Sequence, residues 1–264
     1  KLGTDAYLLN VKAVDAVGGT GNGYTASGGT GGTQDENYYS QQTSSYLNIT
    51  AKKTFGDFNG SFLLGNEINQ SYARDQGTVA TQAAISGFGQ VTSYSTYQPF
   101  NSLSKRRLVG VYAQATVGYK EFAYLTVTGR NDWSSTFPTN NNSYFYPSIA
   151  GSLIFTDLFP AIKSNGILSF GKLRGNIATV GREAPLYATD TYFVQSNPSN
   201  GFGPQLQYPF RGQQGYTLSN NAGNPNLKPE FTTTREVGTE LHFLNDRLVL
   251  DVGYFSTRST DIIL

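Results

Sequence analysis

The sequence predicts an all-β fold, a segment of an antiparallel transmembrane β-barrel with about nine strands. Three observations lead to this prediction. Apolar and polar residues alternate in many short stretches, which is the two-residue period of a β-strand. The connections between these stretches alternate between short turns and long segments. The longest apolar runs are only a few residues, far short of the ~20 that a membrane-spanning helix needs.

The clearest element is a hairpin over residues 105–133. Val111 and Val117 fall on one side of its first strand, and Tyr112 and Thr116 fall on the other. After a turn near 119–120, Leu125 continues the apolar side. A soluble sandwich would bury the apolar face, whereas a membrane barrel turns it toward lipid and the polar face toward a lumen.

The same alternation predicts the other strands in chain order. The nine predicted strands span residues 7–15, 45–55, 58–73, 105–118, 121–133, 144–156, 166–181, 231–244 and 247–259. Gly and Asn residues near 56 and 245 supply tight turns between neighbouring strands. Helical periodicity is weak throughout, except for a turn near 157–161.

The lengths of the connections distinguish the two interpretations. Short turns are predicted near residues 56, 119 and 245 and a modest one at 156–166, against long segments at 16–44, 74–104 and 182–230 and an intermediate one at 134–143. Loops longer than about 15 residues are rare in compact soluble domains. Short turns on one side and long loops on the other are typical of outer-membrane barrels. The pattern therefore favours a barrel, and the rival is a secreted, soluble all-β protein that binds carbohydrate or mediates adhesion.

The odd number of strands indicates an incomplete barrel. Bacterial single-chain barrels have an even number of strands. The first predicted strand starts on the short-turn side and the last finishes on the long-loop side. We therefore expect residues 1–264 to be part of one barrel domain that continues beyond both ends.

Composition excludes several kinds of site. The chain has no Cys, one His and a net charge of +1. Without Cys there is no disulfide framework or thiolate metal site, and a near-neutral chain gives no reason to expect a nucleic-acid partner. His242 is the single imidazole. We expect no cofactor, no bound metal and no enzymatic activity.

Two other patterns have ordinary explanations. The Gly-rich stretch over 18–32 lacks the Lys-Ser/Thr pair of a phosphate-binding loop, so a flexible outer loop is expected. Tyr144, Phe145, Tyr146 and Tyr254 are interpreted as residues of an aromatic belt at the membrane interface.

Polar residues on the inward face are the first candidate site. Those predicted to line the lumen are Arg130, Asp132, Lys172, Arg174, Glu236 and Glu240. Paired carboxylates could perform acid–base chemistry. The simpler interpretation is that the glutamates pair with Lys172 and Arg174 as part of the wall.

The 182–230 segment is the second candidate site, because it is the longest and most aromatic connection. Its candidate contact residues are Tyr187, Tyr192, Phe193, Phe202, Tyr208, Phe210, Arg211 and Tyr216. Aromatic faces at a pore mouth can stack on sugar rings or pack against a protein lid. Packing of the loop against its own barrel explains them equally well.

Three motifs between residue 105 and the end resemble a known family. Gly129 to Phe137 with Tyr144 to Ser152 resembles R-x-D-G-S-S-x-F…Y-F-P-S-x-x-x-x-W, although Trp133 replaces the usual Gly and Leu153 a common aromatic. Lys172 to Gly181 resembles K-L-R-x-S-x-G-x-x-G, and Gly223 to Phe255 resembles N-P-x-L-K-x-E followed by E-x-G and R-L. These motifs are similar to the barrel of SusC/RagA-type TonB-dependent transporters of Bacteroidetes outer membranes.

The resemblance implies a function and partners. Such transporters have a barrel of about 22 strands and an N-terminal plug domain, and they import oligosaccharides or peptides across the outer membrane of Gram-negative cells. A SusD-like surface lipoprotein closes over the outer loops, and TonB with ExbB and ExbD supplies energy. The plug and the C-terminal closing strands are not recognised in these 264 residues.

Overall fold

A computed structural model describes residues 2–17, 30–85, 88–196 and 208–263. The Gly-rich stretch up to residue 29 and Phe202 lie outside the described residues. The strands are β1 Leu2–Val17, β2 Thr30–Phe55, β3 Phe58–Ala83, β4 Tyr94–Tyr119, β5 Ala123–Ser134, β6 Ser143–Ile154, β7 Leu168–Arg182, β8 Phe193–Gln195, β9 Tyr216–Leu218, β10 Glu230–Phe243 and β11 Leu248–Thr260. The helical elements are a single turn of α-helix, α1 Phe155–Leu158, and 3₁₀ turns at Val91–Ser93 and Pro160–Asn165.

The described strands form one large antiparallel sheet and one small one. The large sheet has nine strands in the order β1-β2-β3-β4-β5-β6-β7-β10-β11, so every strand pairs with its neighbours along the chain apart from the β8–β9 excursion. Strands β8 and β9 pair only with each other. The predicted nine-stranded antiparallel fold is confirmed.

The chain divides into two compact units. One comprises Lys1–Tyr46 with Ile68–Arg107, and the other comprises Leu47–Glu67 with Leu108–Leu264. In the first unit β1 pairs with β2 from Leu2↔Ser45 to Val17↔Thr30, and the buried Thr33 hydroxyl donates to the Ala13 carbonyl at 2.9 Å. Both candidate sites belong to the second unit.

Two of the predicted loops, 16–44 and 74–104, are partly strand, which corrects the sequence analysis. Residues 30–44, 74–83 and 94–104 extend β2, β3 and β4, and β1 begins at Leu2. These extensions are rich in Gln, Ser, Thr and Asn, so they show no apolar–polar alternation. Their backbone hydrogen bonds form regardless of side-chain polarity, and a period-two search for apolar residues therefore misses them.

The connections follow the predicted alternation except at one pair. Short turns at 56–57, 120–122 and 244–247 are confirmed. The connection at 155–167 is longer than the one at 135–142, so lengths do not alternate strictly there. The longer connection is hydrogen-bonded to β7, because the Gly171 N–H donates to the Thr156 hydroxyl at 3.1 Å.

One face of the second unit is apolar and exposed. Strands β4 to β11 present on it the exposed residues Val111, Val117, Leu125, Val127, Phe145, Ile149, Leu173, Ile177, Val237, Leu250, Val252 and Tyr254. A soluble sandwich would cover such a face, since monomeric soluble proteins rarely expose large contiguous apolar patches. The apolar face is thus the outward face that the barrel prediction requires.

None of the helices in the described part of the chain is both long and apolar enough to span a membrane.

Candidate functional site

A network centred on Arg130 occupies the inward, polar face. Arg130 Nη1 lies 2.7 Å from Glu67 Oε2, and Arg130 Nε lies 2.8 Å from Asp132 Oδ1. The Tyr146 hydroxyl donates to the other oxygen of Asp132, Oδ2, at 2.5 Å. The guanidinium carbon also lies 5.4 Å from the centre of the Tyr112 ring. One cation thus holds two carboxylates and an aromatic ring in place.

The network spans three strands because a glycine lies in its middle. Arg130 and Asp132 are two residues apart on β5, so their side chains share a face. Asp132 lies opposite Gly110 of β4 in the strand register. A Cβ atom at Gly110 would lie 2.6 Å from both Arg130 Nη2 and Asp132 Oδ1. With no side chain there, Arg130 crosses β4 and reaches Glu67 on β3.

Two further side chains cross a glycine in the same way. Tyr112 of β4 lies over Gly65 of β3, where a Cβ atom would be 2.2 Å from its ring, and its hydroxyl donates to Asn48 Oδ1 on β2 at 2.6 Å. Arg174 of β7 crosses Gly238 of β10, where a Cβ atom would be 2.9 Å from Nε. These contacts tie together strands that are not neighbours in the sheet.

The destination of Arg174 corrects the predicted charge pairing. Its guanidinium binds both carboxylate oxygens of Asp251 on β11, at 2.7 and 3.1 Å. Glu236 instead accepts a hydrogen bond from Asn176 at 3.1 Å. Glu240 lies opposite Lys172 in register, but its Oε1 is 2.9 Å from His242 Nε2. The predicted pairing with the glutamates was wrong because Gly238 has no side chain. Arg174 therefore extends across β10 and binds a residue of β11.

His242 links the inward face to the turn between β10 and β11. Its Nδ1 lies 2.9 Å from Asp246 Oδ1, and its Nε2 binds Glu240. The hydrogen bond with His242, followed by one from the Ser169 hydroxyl, holds the pKa of the Asp246 carboxyl below its ordinary value. The two carboxylates contact opposite ring nitrogens and therefore do not converge on one ion. Within the described ranges, no group of three or more His, Asp or Glu residues is placed to hold a metal.

At another turn of the second unit, Lys120 pairs with Asp57 at 3.2 Å. The hydrogen bond to Asp57, with the attraction of its charge, raises the pKa of Lys120 above the ordinary value. This ion pair connects the turn that joins β4 to β5 with the turn that joins β2 to β3.

The described residues of the 183–229 connection include a two-stranded ribbon, which we define as residues 188–196 and 208–224. Backbone hydrogen bonds join Asn224 N–H to the Ala188 carbonyl at 3.0 Å and Ser219 N–H to the Tyr192 carbonyl at 2.8 Å. Strands β8 and β9 continue the pairing from Phe193↔Leu218 to Gln195↔Tyr216. The sequence predicts no strand in this segment, because β8 and β9 are too short for apolar–polar alternation to reveal them.

One face of the ribbon is apolar and uncovered. Phe193, Tyr216 and Leu218 share it, with 69%, 61% and 59% of their surface exposed. Val194 and Thr217 lie on the other face and are half-buried. Phe193 and Tyr216 are two of the candidate contact residues, and the structure adds Leu218, which the aromatic count had missed.

Of the other predicted contact residues, some pack within the loop and others are exposed. The Tyr208 ring covers Gly215, where a Cβ atom would lie 2.3 Å away, so this aromatic packs within the loop. Arg211 lies 5.6 Å from the centre of the exposed Phe210 ring. Tyr187 and Tyr192 are exposed.

A small apolar cluster anchors the base of the ribbon. Phe137, Tyr144, Ala184 and Leu227 are buried together, with Tyr146, Ala188, Phe231 and Ile263 packed against them. The Phe137 and Tyr144 rings meet edge to face at 5.8 Å. This packing fixes where the ribbon leaves the sheet.

Known proteins resemble this chain in sequence. The family model described as "TonB dependent receptor-like, beta-barrel" matches residues 4–264. The chain belongs to this TonB-dependent receptor family.

Two relatives carry the same receptor name, and a solved structure has the same fold. TonB-dependent receptor P3 of Formosa agariphila is 27% identical over 248 residues, covering 90% of this chain and 23% of that protein. TonB-dependent receptor SusC of Bacteroides thetaiotaomicron is 30% identical over 171 residues, covering 61% and 16%. The structure of the RagAB peptide transporter superposes with a TM-score of 0.81 at 18% identity, covering 100% of this chain and 28% of that one. The chain thus spans less than a third of the length of each of these proteins.

In this TonB-dependent receptor chain, the motif residues that carried the resemblance contact one another. Arg130 binds Asp132, Asp132 accepts from Tyr146, and Phe137 packs on Tyr144. Tyr144 is buried, with its ring over Gly181, and Tyr146 is turned inward. Their interpretation as interfacial belt residues was therefore wrong, whereas Phe145 and Tyr254 are exposed on the outward face.

Sequence reasoning gave no role to Glu67 or Asp251. Parity along β3 and β11 puts both on the inward face, but their partners sit two strands away. Inward-facing glycines on the intervening strands were the available signal, since each marks where a long side chain can cross.

Proposed function

We propose that this chain is part of the barrel domain of an outer-membrane importer that takes up oligosaccharides or peptides. The plug domain and the contact with TonB, ExbB and ExbD would lie in other parts of the receptor. Family membership supports the proposal, together with a sheet that is apolar outside and polar inside. A solute would pass along the inward face, and the outward face would contact lipid.

The inward network suits a fixed wall better than a catalytic centre. Arg130 is satisfied by Glu67 and Asp132, and Asp132 is only 5% exposed at its side chain. Charges held this way present fixed hydrogen-bonding groups to a hydrated solute. No nucleophile with an adjacent base is assembled around them.

The ribbon is proposed to contact a SusD-like lipoprotein or the substrate. The observation that carries this proposal is the exposed face of Phe193, Tyr216 and Leu218. Aromatic rings offer a large contact area with few rotatable bonds, so they lose little entropy on binding. A ribbon with a buried base and an uncovered apolar face is better suited to recognition than to capping its own barrel.

Excision of the ribbon tip tests the proposal. The Tyr192 carbonyl and the Ser219 N–H already meet at 2.8 Å, so residues 193–218 can be replaced by an Asn-Gly turn without moving the base. The barrel should still fold, as shown by heat-modifiable gel migration, while uptake and co-purification of the lipoprotein fall. Normal uptake with normal lipoprotein binding would reduce the ribbon to a passive cover.

A matched pair of surface variants distinguishes a role of the apolar face from a role of the ribbon as a whole. Phe193→Ser with Tyr216→Ser and Leu218→Ser removes the apolar face and keeps the backbone. Asn220→Ser with Asn221→Ser changes exposed residues beside it and should leave uptake unchanged. Equal loss in both variants would point to a folding defect.

A further inference from the structure

A groove crosses the outward apolar face of the second unit. It measures about 660 Å³ and is lined by residues of β5, β6, β7, β10 and β11: Leu125, Ile149, Ile177, Val237 and Tyr254, with Gly151 and Gly175 between them. That volume is within the ~300–1,000 Å³ of pockets that hold small ligands. Its apolar lining suits a hydrocarbon chain.

A pair of neighbouring glycines creates the groove. One row across the sheet reads Leu125↔Gly151↔Gly175↔Val237↔Tyr254, and the row beside it reads Val127↔Ile149↔Ile177↔Arg235↔Ser256. The first row therefore has two vacant side-chain positions between large residues. The vacancy is open on the outward side.

Neither glycine is needed for the fold. A Cβ atom at Gly151 would meet nothing closer than 3.8 Å, and one at Gly175 nothing closer than 3.5 Å. Neither residue has a positive φ. Gly65, Gly110 and Gly238 are different, because side chains already fill the space above them. At Gly151 and Gly175 the space is left for something outside the chain.

Two arginines lie at the long-loop end of the groove. Arg235 shares the row of Ile177 and Ile149 on the outward face, and Arg258 lies opposite Thr233 in the next outward row. Diagonal neighbours of this kind are ~7–8 Å apart, so both guanidinium groups can reach one anion. Both side chains are exposed, and neither forms an ion pair or a side-chain hydrogen bond within the described part of the chain.

We propose that this groove binds a phosphate-bearing lipid of the outer leaflet, with its phosphate between Arg235 and Arg258 and an acyl chain in the groove. An arginine on a lipid-facing strand is costly at mid-membrane and costs little near the interface. An anionic headgroup at the long-loop end removes that cost, because guanidinium groups bind phosphate through charge-assisted hydrogen bonds. The proposal rests on the outer-membrane location proposed above.

Lipid retention by the full-length receptor tests the inference. The receptor is purified in a non-ionic detergent, incubated with monophosphoryl lipid A, with its dephosphorylated form or with inorganic phosphate, and analysed by native mass spectrometry. The phosphorylated lipid should be retained in preference to both other probes. Equal retention of the dephosphorylated lipid would overturn the role of the arginines, and equal retention of inorganic phosphate would overturn the role of the groove.

Variants at each end of the groove sharpen the test. Arg235→Gln with Arg258→Gln should lower retention by roughly fivefold or more, since the charge-assisted hydrogen bonds are lost. Gly175→Leu, or Gly151→Val as a second choice, should lower it by filling the groove. Gly60→Leu is the matched control, an outward glycine of β3 with no atom closer than 3.7 Å to its Cβ position. Unchanged retention in the arginine or groove variants overturns the proposal.

Lipid retention is measured without a transport assay, so its result does not depend on whether the receptor is an importer. Loss of lipid binding with normal uptake would overturn only the lipid site. Normal lipid binding in a receptor that imports neither peptides nor oligosaccharides would overturn only the proposed function.

Discussion

At the scale of single residues, the inward face is held together by side chains that cross a glycine. Arg130 over Gly110, Tyr112 over Gly65 and Arg174 over Gly238 each bind a residue two strands away. A ladder of backbone hydrogen bonds connects each strand only to its neighbours. The crossing side chains add a second set of ties, which resists shear between strands.

The Gly110 crossing can be tested by substitution. Gly110→Val would place a Cβ atom 2.6 Å from Arg130 Nη2 and displace the guanidinium from Glu67. We expect a loss of about 1.5–3 kcal/mol of unfolding free energy, the usual contribution of a hydrogen bond to a charged group. Urea unfolding in lipid vesicles measures it, with Gly60→Val as the control.

A double-mutant cycle identifies the cause of that loss. If Gly110 acts through the Arg130–Glu67 contact, Glu67→Gln should cost much less in the Gly110→Val background than alone. Additive losses would show that Gly110 matters for another reason, such as local crowding on β4.

The facing of the β4–β5 hairpin gives a second residue-scale prediction. Leu125 is exposed on the outward face, and the Thr126 hydroxyl meets that of Thr116 at 3.0 Å on the inward face. Leu125→Arg should cost about 2–4 kcal/mol if its position is near mid-membrane, and Thr126→Arg much less. Refolding into vesicles measures both, and a larger cost for Thr126→Arg would invert the assigned faces.

At the scale of elements, what the sequence could predict depended on side-chain contrast. Strands β5, β6, β7, β10 and β11 alternate apolar and polar residues, and their predicted bounds agree with the structure to within about two residues at most ends. The polar extensions of β2, β3 and β4 lack that contrast and were missed. Parity placed the candidate inward residues on one shared face of the sheet, but their partners depended on register and on the crossing glycines.

The ribbon could be located by its length and aromatic content but not described further. Three-residue strands such as β8 and β9 are too short for periodicity, and their pairing depends on closure of a long loop.

The buried cluster at the base of the ribbon gives a prediction at the scale of elements. Leu227→Ala should destabilise the apolar cluster by about 2–3 kcal/mol, as expected for a core truncation that can partly relax, and should increase proteolysis between residues 183 and 229.

Comparison of cleavage rates shows whether the cluster is the anchor. Leu186→Ala, at a half-buried position outside the cluster, should leave cleavage at the parental rate. Faster cleavage in both variants would mean that the ribbon base has no single anchoring cluster.

At the scale of the whole molecule, strand order predicts which connections share a side of the membrane. Consecutive antiparallel strands alternate direction, so the connections after β1, β3, β5 and β7 lie at one end and those after β2, β4, β6 and β10 at the other. The longest connection, 183–229, belongs to the first set, and three of the four connections in the second set are turns of four residues or fewer. We therefore predict that the first set faces the cell exterior and the second the periplasm.

Single-cysteine labelling of intact cells tests this topology, and the chain itself contributes no background because it has no cysteine. Gln90→Cys and Asn220→Cys, both at exposed positions in long connections, should react with a membrane-impermeant maleimide. Asp57→Cys and Arg247→Cys, equally exposed but in short turns, should react only after the outer membrane is permeabilised. Gly28 and Gly203 belong to the same exterior set by position, although they lie outside the described residues. Labelling of Arg247→Cys in intact cells would contradict the topology. The ribbon connection precedes β10 and the turn at 244–247 follows it, so the two must lie on opposite sides of the membrane.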